Sequence, residues 1–256
     1  MLKFVFGRAA TGKTSKILEF IESDVKSGKK AVLIIPEQFS FESERAVLNR
    51  VGDSLLASVE VLSFSRICDA VERITGGICG RNLGDADKLI LMCRAIKNSA
   101  DDLKLWNRYK NSFGFARTML ETIDEFKINA ISVAALNDFA NKDTETSLSK
   151  KLIDIATIYQ NFDMLLGERF IDPTDRLTKL YERLAECRYF ENKTVYLDSF
   201  KGFTGQQFKI IDRILSQADD VIISLSSDSE ANAGLDVFSN IRKTAEYIKS
   251  RAKQKG

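Results

Sequence analysis

The chain has 256 residues, of which 44% are hydrophobic, and its net charge is +2 at neutral pH. This is enough apolar material for one large α/β domain, or for a core domain with a smaller insertion. The balanced charge excludes a uniformly basic protein but leaves room for a local basic groove. Histidine is absent, which removes the commonest metal ligand and the commonest general base.

The sequence also limits cofactor and membrane chemistry. Four widely spaced cysteines contain no CxxC pair: Cys68, Cys79, Cys93 and Cys187. This spacing predicts neither a zinc site nor an iron–sulfur cluster. The sequence has no visible signal peptide and no apolar run of membrane-spanning length. We therefore expect a protein of the reducing cytoplasm without a membrane partner.

The first third of the chain alternates strand and helix patterns. Unbroken apolar runs are typical of strands buried on both faces of a parallel sheet. Apolar residues at helical spacing follow each run. The predicted strands are 2–6, 31–35 and 59–62, and the predicted helices begin at Thr14 and span 39–51 and 64–74.

The pattern changes at about residue 85. From there to residue 187 apolar residues recur at helical spacing without strand-like runs, and 170–173 is predicted to be a loop. Strand patterns return at 194–197 and 221–225, with a helix at 206–215 between them. This order predicts a mostly parallel sheet with helices on both faces. We expect residues 1–84 and 190–256 to form the α/β domain and residues 85–189 a helical insertion.

The first predicted strand leads into a sequence that matches G-x-x-x-x-G-K-[ST], the phosphate-binding P-loop. The loop amides and the start of the following helix attract phosphate, Lys13 reaches the β- and γ-phosphates, and Thr14 ligates Mg²⁺. The alternative is a chance match, but the strand–loop–helix context favours nucleotide binding, most simply of ATP. The predicted binding residues are Gly7, Arg8, Ala9, Ala10, Thr11, Gly12, Lys13 and Thr14.

Asp198 directly follows the predicted strand at 194–197. A carboxylate at the end of a neighbouring strand commonly holds Mg²⁺ in P-loop proteins, although an N-cap or loop role is the alternative. Hydrolysis also needs a group that activates water. The next residue is Ser199, which cannot take a proton from water at neutral pH; Glu37 and Gln207 remain candidates for orienting water. We predict nucleotide binding and assign no catalytic residue.

Four segments together resemble superfamily 1 helicases of the UvrD/RecB type: the P-loop, 32–38, 61–64 and 197–207. The closer resemblance is to the AddB (RexB) family of AddAB (RexAB) helicase–nucleases, carried by Ile-Pro-Glu-Gln-Phe-Ser-Phe and Val-Leu-Ser-Phe-Ser-Arg. It implies a RecA-like P-loop domain with an inserted, all-helical 1B-like subdomain. It also implies a role in double-strand break repair and recombination, with an AddA-type subunit as the heterodimer partner.

The same resemblance implies contacts to single-stranded DNA by Pro36, Gln38, Ser63 and Phe64. Each has a structural alternative: Phe64, like Phe200, is also a typical core residue, and Ser63 is a suitable helix N-cap. We expect the chain to be the amino-terminal part of a longer subunit, without the second RecA-like domain and the nuclease domain with its cysteine cluster.

Three functions are compatible with these motifs. The first is a helicase-like domain that binds ATP and single-stranded DNA with weak or no hydrolysis. The second is a DNA-stimulated ATPase whose water-activating group lies elsewhere. The third is a P-loop kinase of small molecules, with the helical insertion as its lid. In helicases of this kind a glutamate directly follows the aspartate, and the presence of Ser199 at that position favours the first function.

Overall fold

The computed structural model of the protein describes residues 1–77, 80–142, 146–167, 169–227 and 238–254. Its strands are β1 (Leu2–Gly7), β2 (Lys30–Ile34), β3 (Val59–Leu62), β4 (Arg81–Asn82), β5 (Phe170–Ile171), β6 (Lys193–Leu197) and β7 (Asp220–Ser226). Its helices are α1 (Lys13–Lys26), α2 (Ser40–Val51), α3 (Phe64–Thr75), α4 (Asp85–Ser99), α5 (Phe113–Ile128), α6 (Val133–Ala140), α7 (Ser147–Leu166), α8 (Arg176–Glu186), α9 (Gly205–Gln217) and α10 (Ser239–Lys253).

Five strands form one sheet in the order β1-β7-β6-β2-β3, and every neighbouring pair is parallel. The prediction of an α/β fold with a parallel sheet is confirmed. Its central strands are buried on both faces, which explains their largely apolar sequences. Because all five strands run the same way, their carboxyl ends, and the loops that follow them, share one edge of the sheet.

Helices α1 and α2 cover one part of this sheet. Ile17 and Ile21, one turn apart on α1, are fully buried against Leu33 and Tyr196 of the sheet and Val47 of α2. Burying such a side chain contributes about 1.5–3 kcal/mol. The same packing fixes the axis of α1, and with it the loop that precedes this helix.

The chain divides into two compact units, one formed by 1–76, 179–203 and 207–256 and the other by 77–178 and 204–206. The first holds the five-stranded sheet. The second has its own apolar core from α4, α5, α6 and α7, in which Met92, Ile123 and Phe162 are fully buried. The domain boundaries at 84/85 and 189/190 stay a prediction.

The prediction that residues 170–173 form a loop was wrong in part. Phe170 and Ile171 form β5, which pairs in parallel with β4, and Arg81 N donates to the Arg169 carbonyl at 3.0 Å. A two-residue strand carries too few side chains for its alternation to be recognised. The second unit therefore contains this short pair beside its helices. Of the four cysteines, Cys79 lies outside the described residues, and the other three form no disulfide within the described part of the chain.

A buried charge cluster lies in the second unit. Asp172, 1% exposed, accepts Lys88 Nζ on Oδ1 and Lys127 Nζ on Oδ2, each at 3.0 Å. Burial raises the pKa of Asp172, but the charge of Lys127 and the hydrogen bonds from Lys88 and the Thr174 amide outweigh it and lower the pKa overall. Asp163 contacts Lys127 at 3.2 Å from a half-exposed position, and there burial prevails and raises the pKa of its carboxyl.

Candidate phosphate-binding site

The loop of residues 7–14 connects β1 to α1 and turns sharply. Ala10 and Gly12 have positive φ angles of 59° and 84°, and Gly12 is the N-cap of α1. Thr11 closes the turn through its amide and its hydroxyl, which both donate to the Arg8 carbonyl, at 3.4 and 2.8 Å. No side chain of the described residues caps α1, so the first amides of this helix remain available to an anion.

Gly7 is packed where the loop begins. A Cβ atom at this position would lie 2.4 Å from Thr11 Oγ1 and 3.2 Å from Lys13 Cγ. A glycine is therefore favoured here because the side chains of Thr11 and Lys13 leave little space for a Cβ atom. Lys13 Nζ donates to the Arg8 carbonyl at 2.7 Å. The ammonium group therefore lies over the loop, where it adds positive charge beside the loop amides.

Asp198 is the centre of a cluster of hydroxyl groups. Thr14 Oγ1 donates to Asp198 Oδ2 at 2.8 Å, and Ser199 Oγ donates to the same oxygen at 3.2 Å. Ser224 Oγ donates to the other oxygen, Oδ1. Asp198 is only 3% exposed, and its amide donates to the Ile34 carbonyl at 3.0 Å. The predicted pair Thr14 and Asp198 is thus in direct contact.

The two strands that carry this pair are not direct neighbours. β7 lies between β1 and β6, so Asp198 stands two strands away from the strand that leads into the loop, and the expected neighbouring position was wrong in this respect. Ser224 lies on β7, the strand between β1 and β6. This residue was not predicted, although a serine inside the otherwise apolar run Val221–Leu225 is a recognisable signal.

The chemistry of this arrangement fits a magnesium–polyphosphate group. Mg²⁺ prefers oxygen ligands and keeps several of its waters, so that it needs few protein donors. Thr14 and Asp198 supply a hydroxyl and a carboxylate oxygen. Among the described residues, no three histidine, cysteine, aspartate or glutamate side chains cluster in a way that could hold a metal ion alone. The amides of the loop and Lys13 provide the complementary positive charge for phosphate.

The residues predicted to contact DNA follow β2 and β3. Pro36 is half-buried and Gln38 is exposed. Ser63 is 1% exposed and caps α3, since its hydroxyl accepts the Arg66 amide at 3.3 Å. Phe64 is 5% exposed. Ser63 is therefore a helix N-cap and Phe64 a buried residue, as their structural alternatives predicted. The DNA contacts of both residues stay a prediction.

The segments after β2, β3 and β6 are joined by side-chain contacts. The Ser65 amide donates to Glu37 Oε1 at 3.4 Å. Burial raises the pKa of the Glu37 carboxyl, but hydrogen bonds from Ser65 and Ser63 outweigh it and lower the pKa overall. The ring of Phe64 meets the ring of Phe200 edge-on, at 5.6 Å between centroids. Phe200 is two residues after Asp198, with Ser199 between them at a φ of 66°.

Fold and site together define an α/β protein with a parallel sheet, in which a glycine-lysine loop and a buried aspartate meet at the carboxyl edge. The family model described as "ADDB, N-terminal" matches residues 4–256. The chain therefore belongs to this AddB amino-terminal family, and the resemblance seen in the sequence is confirmed.

Curated relatives are named as the B-type subunit of an ATP-dependent helicase/deoxyribonuclease. Those of Clostridium tetani and Clostridium novyi are each 32% identical over 256 residues, covering 96% and 99% of this chain. That of Clostridioides difficile is 31% identical over 264 residues, covering the whole chain. The chain spans only 22–23% of the length of these relatives. None of the helices in the described residues is long and apolar enough to cross a membrane.

Proposed function

We propose that this chain is the nucleotide-binding amino-terminal region of an AddB-type helicase–nuclease subunit, and that it binds ATP with Mg²⁺ at the loop of residues 7–14. The hydrogen bond from Thr14 Oγ1 to Asp198 Oδ2, at 2.8 Å, carries the proposal. It joins the first turn of α1 to the end of β6. These two oxygens lie where a phosphate-bound Mg²⁺ would need its protein ligands.

Each part of the loop has a role in this proposal. The amides of residues 7–14 and the uncapped start of α1 surround the phosphates. Lys13 would bind the β- and γ-phosphates, and Thr14 and Asp198 would hold Mg²⁺. Mg²⁺ supplies charge neutralisation for the phosphates when it is bound.

The proposed domain turns ATP over slowly or not at all. Hydrolysis needs a group that takes a proton from water or orients it. Ser199 occupies the position after Asp198, and its hydroxyl donates to that carboxylate at 3.2 Å. The chain contains no histidine that could replace a missing base. Glu37, one of the two candidates for orienting water beside Gln207, accepts a hydrogen bond from the Ser65 amide in the first turn of α3.

The remaining function is proposed from the family. The relatives are named as one subunit of a helicase/deoxyribonuclease, which supports a heterodimer with an AddA-type subunit that acts in double-strand break repair and recombination. Single-stranded DNA is the proposed ligand of the segments 36–38 and 63–64, and the cytoplasm is the proposed compartment, since the chromosome lies there. Exposed Gln38 is the residue best placed to reach a DNA strand.

A binding and turnover experiment tests the proposal. We expect the wild-type chain to bind a fluorescent ATP analogue in the presence of Mg²⁺, and Lys13→Ala to weaken this binding at least about tenfold, as for the loss of a charged hydrogen-bond donor to phosphate. Lys16→Ala is the matched control, because Lys16 lies one turn further along α1 and pairs with Glu19 at 2.7 Å on the surface. Steady-state ATP hydrolysis is measured for the same proteins with and without single-stranded DNA.

The outcomes separate the three functions. Binding that depends on Lys13, with turnover near background, supports the proposal. DNA-stimulated turnover that is lost in Lys13→Ala supports an active ATPase instead. Phosphoryl transfer to a nucleoside or metabolite supports a kinase. Equal binding by the wild type and Lys13→Ala contradicts nucleotide binding at this loop.

A further inference from the structure

Ser224 is a polar residue inside a buried apolar strand. It lies on β7 opposite Val5 of β1, and it is 2% exposed. A buried hydroxyl needs a hydrogen-bond partner, because an unsatisfied polar group in the interior is costly. The partner here is Asp198 Oδ1, which accepts the hydrogen bond from Ser224 Oγ.

The two carboxylate oxygens of Asp198 therefore accept hydrogen bonds from different sides. Oδ1 is bound from β7 by Ser224, while Oδ2 accepts Thr14 Oγ1 at 2.8 Å and Ser199 Oγ at 3.2 Å. The backbone of Asp198 is held by the Ile34 carbonyl, but this leaves the rotation of the carboxylate plane free. That torsion has no sharp intrinsic preference in aspartate. A donor on one oxygen is therefore what fixes the direction of the other.

We infer that Ser224 is a positioning residue of the magnesium–nucleotide site: its hydroxyl sets the plane of the Asp198 carboxylate, so that Oδ2 faces Thr14. This inference rests on the proposed function. Ser224 itself touches neither metal nor phosphate in this role and acts only through Asp198. Without its hydroxyl, Oδ1 lacks its donor from β7, and the carboxylate turns to share the donors on the Thr14 side.

The test measures the affinity of the whole chain for a fluorescent ATP analogue, once with Mg²⁺ and once with EDTA. The ratio of the two dissociation constants is the enhancement of binding by Mg²⁺. Ser224→Ala removes the hydroxyl and Ser224→Thr keeps it. Thr194→Val is the matched control, because Thr194 is also buried in the sheet, 1% exposed, and its hydroxyl has no hydrogen-bond partner among the described residues.

We expect Ser224→Ala to reduce the Mg²⁺ enhancement about fivefold or more, as for the loss of one hydrogen bond to a charged group. Its affinity in EDTA should stay within about twofold of the wild type, because loss of a local hydrogen bond leaves the phosphate-binding amides in place. Ser224→Thr and Thr194→Val should retain the wild-type enhancement. Circular dichroism and thermal melting of each variant establish that it is folded; if Ser224→Ala is not, Ser224→Cys provides the same comparison with a weak donor.

Two results would overturn the inference. One is an unchanged Mg²⁺ enhancement in Ser224→Ala or Ser224→Cys. The other is an equal loss of affinity with Mg²⁺ and with EDTA, which would mean that Ser224 only supports the fold. A wild-type chain that binds no nucleotide under either condition would instead contradict the proposed function, so the two failures are distinguishable.

Discussion

Thr14 Oγ1 and Asp198 Oδ2 are 2.8 Å apart, although 184 positions separate the two residues in the chain. The contact arises because β6 and β7 return to the sheet of β1 after the helical unit of residues 77–178. Parallel strands place both residues at the same edge. The contact therefore depends on the return of β6 to the sheet and not on proximity in the sequence.

Gly7→Ala tests how tightly the loop is packed. The new Cβ would lie 2.4 Å from Thr11 Oγ1, so either Thr11 or the loop backbone must move. We expect weaker binding of Mg–ATP and a loss of stability of about 1–3 kcal/mol, as for overpacking. Equilibrium binding and urea denaturation measure the two effects.

The clash at Gly7 also predicts a rescue. Thr11→Ala removes the Oγ1 atom that the new methyl group would meet, so the double variant Gly7→Ala/Thr11→Ala should recover part of the lost stability. Thr11→Ala alone loses the hydrogen bond to the Arg8 carbonyl and serves as the reference. Strictly additive losses of stability would contradict the steric explanation.

A second glycine is fixed by packing at the start of α9. A Cβ atom on Gly205 would lie 2.1 Å from the carbonyl oxygen of Asn129. Backbone atoms cannot rotate away as a side chain can, so Gly205→Ala should cost at least about 2 kcal/mol. Gly202→Ala is the control, since no atom of the described residues outside its chain neighbours would lie within 4 Å of the new Cβ. Similar melting temperatures for the two variants would be incompatible with this packing.

Phe200 connects the loop after Asp198 with the start of α3, since its ring contacts Phe64 at 5.6 Å. If the chain binds both ligands as proposed, Mg–nucleotide should change its affinity for single-stranded DNA. Phe200→Leu should reduce that change, since coupling free energies are typically about 1–3 kcal/mol. The affinity for Mg–nucleotide alone and the affinity for DNA alone should each stay within about threefold of the wild type. Fluorescence anisotropy with labelled DNA measures it.

Phe208→Leu is the control for this coupling. Its ring contacts Phe203 at 5.7 Å and Tyr247 at 4.8 Å, so it removes an aromatic contact of the same kind away from Phe64. Equal coupling in the wild type and in Phe200→Leu would contradict a role for the ring of Phe200.

Asp172→Asn predicts a pH-dependent loss of stability. The two lysines on Asp172 hold the pKa of its carboxyl below its usual value. A group with a lowered pKa stabilises the fold above its unfolded pKa, about 3.9, and this contribution is lost as the pH falls through the folded pKa. We expect a loss of about 3 kcal/mol at pH 7, as for a broken buried pair, and a smaller difference near pH 3. Urea denaturation at both pH values measures it.

Asp163→Asn is the matched variant in the same cluster. Burial raises the pKa of Asp163, so its ionised form is disfavoured in the fold, and neutralising it should cost less than neutralising Asp172. A larger loss of stability at pH 7 in Asp163→Asn than in Asp172→Asn would contradict a raised pKa for Asp163 and a lowered pKa for Asp172.

The sheet and the turn between β1 and α1 could be predicted from the sequence because both have strong local signals. An unbroken apolar run indicated β2, largely apolar runs indicated β6 and β7, and the loop motif lay between a strand and a helix. The order of the strands is not determined by neighbouring residues in the chain, so the position of β7 between β1 and β6 could not be predicted from the sequence. Ser224 was missed for the same reason, since its partner Asp198 becomes its neighbour only through that order. β5 was missed because two residues carry no periodicity.

The strand between β1 and β6 has a consequence for how the site can change over evolution. Adjacent strands are spaced by about 4.8 Å, so the two strands that lead into the loop and into Asp198 are held about 9–10 Å apart across the sheet. This gap is a property of the topology and not of the loops. Substitutions in the loops can change their side chains and conformations, whereas the spacing of β1 and β6 persists as long as β7 lies between them.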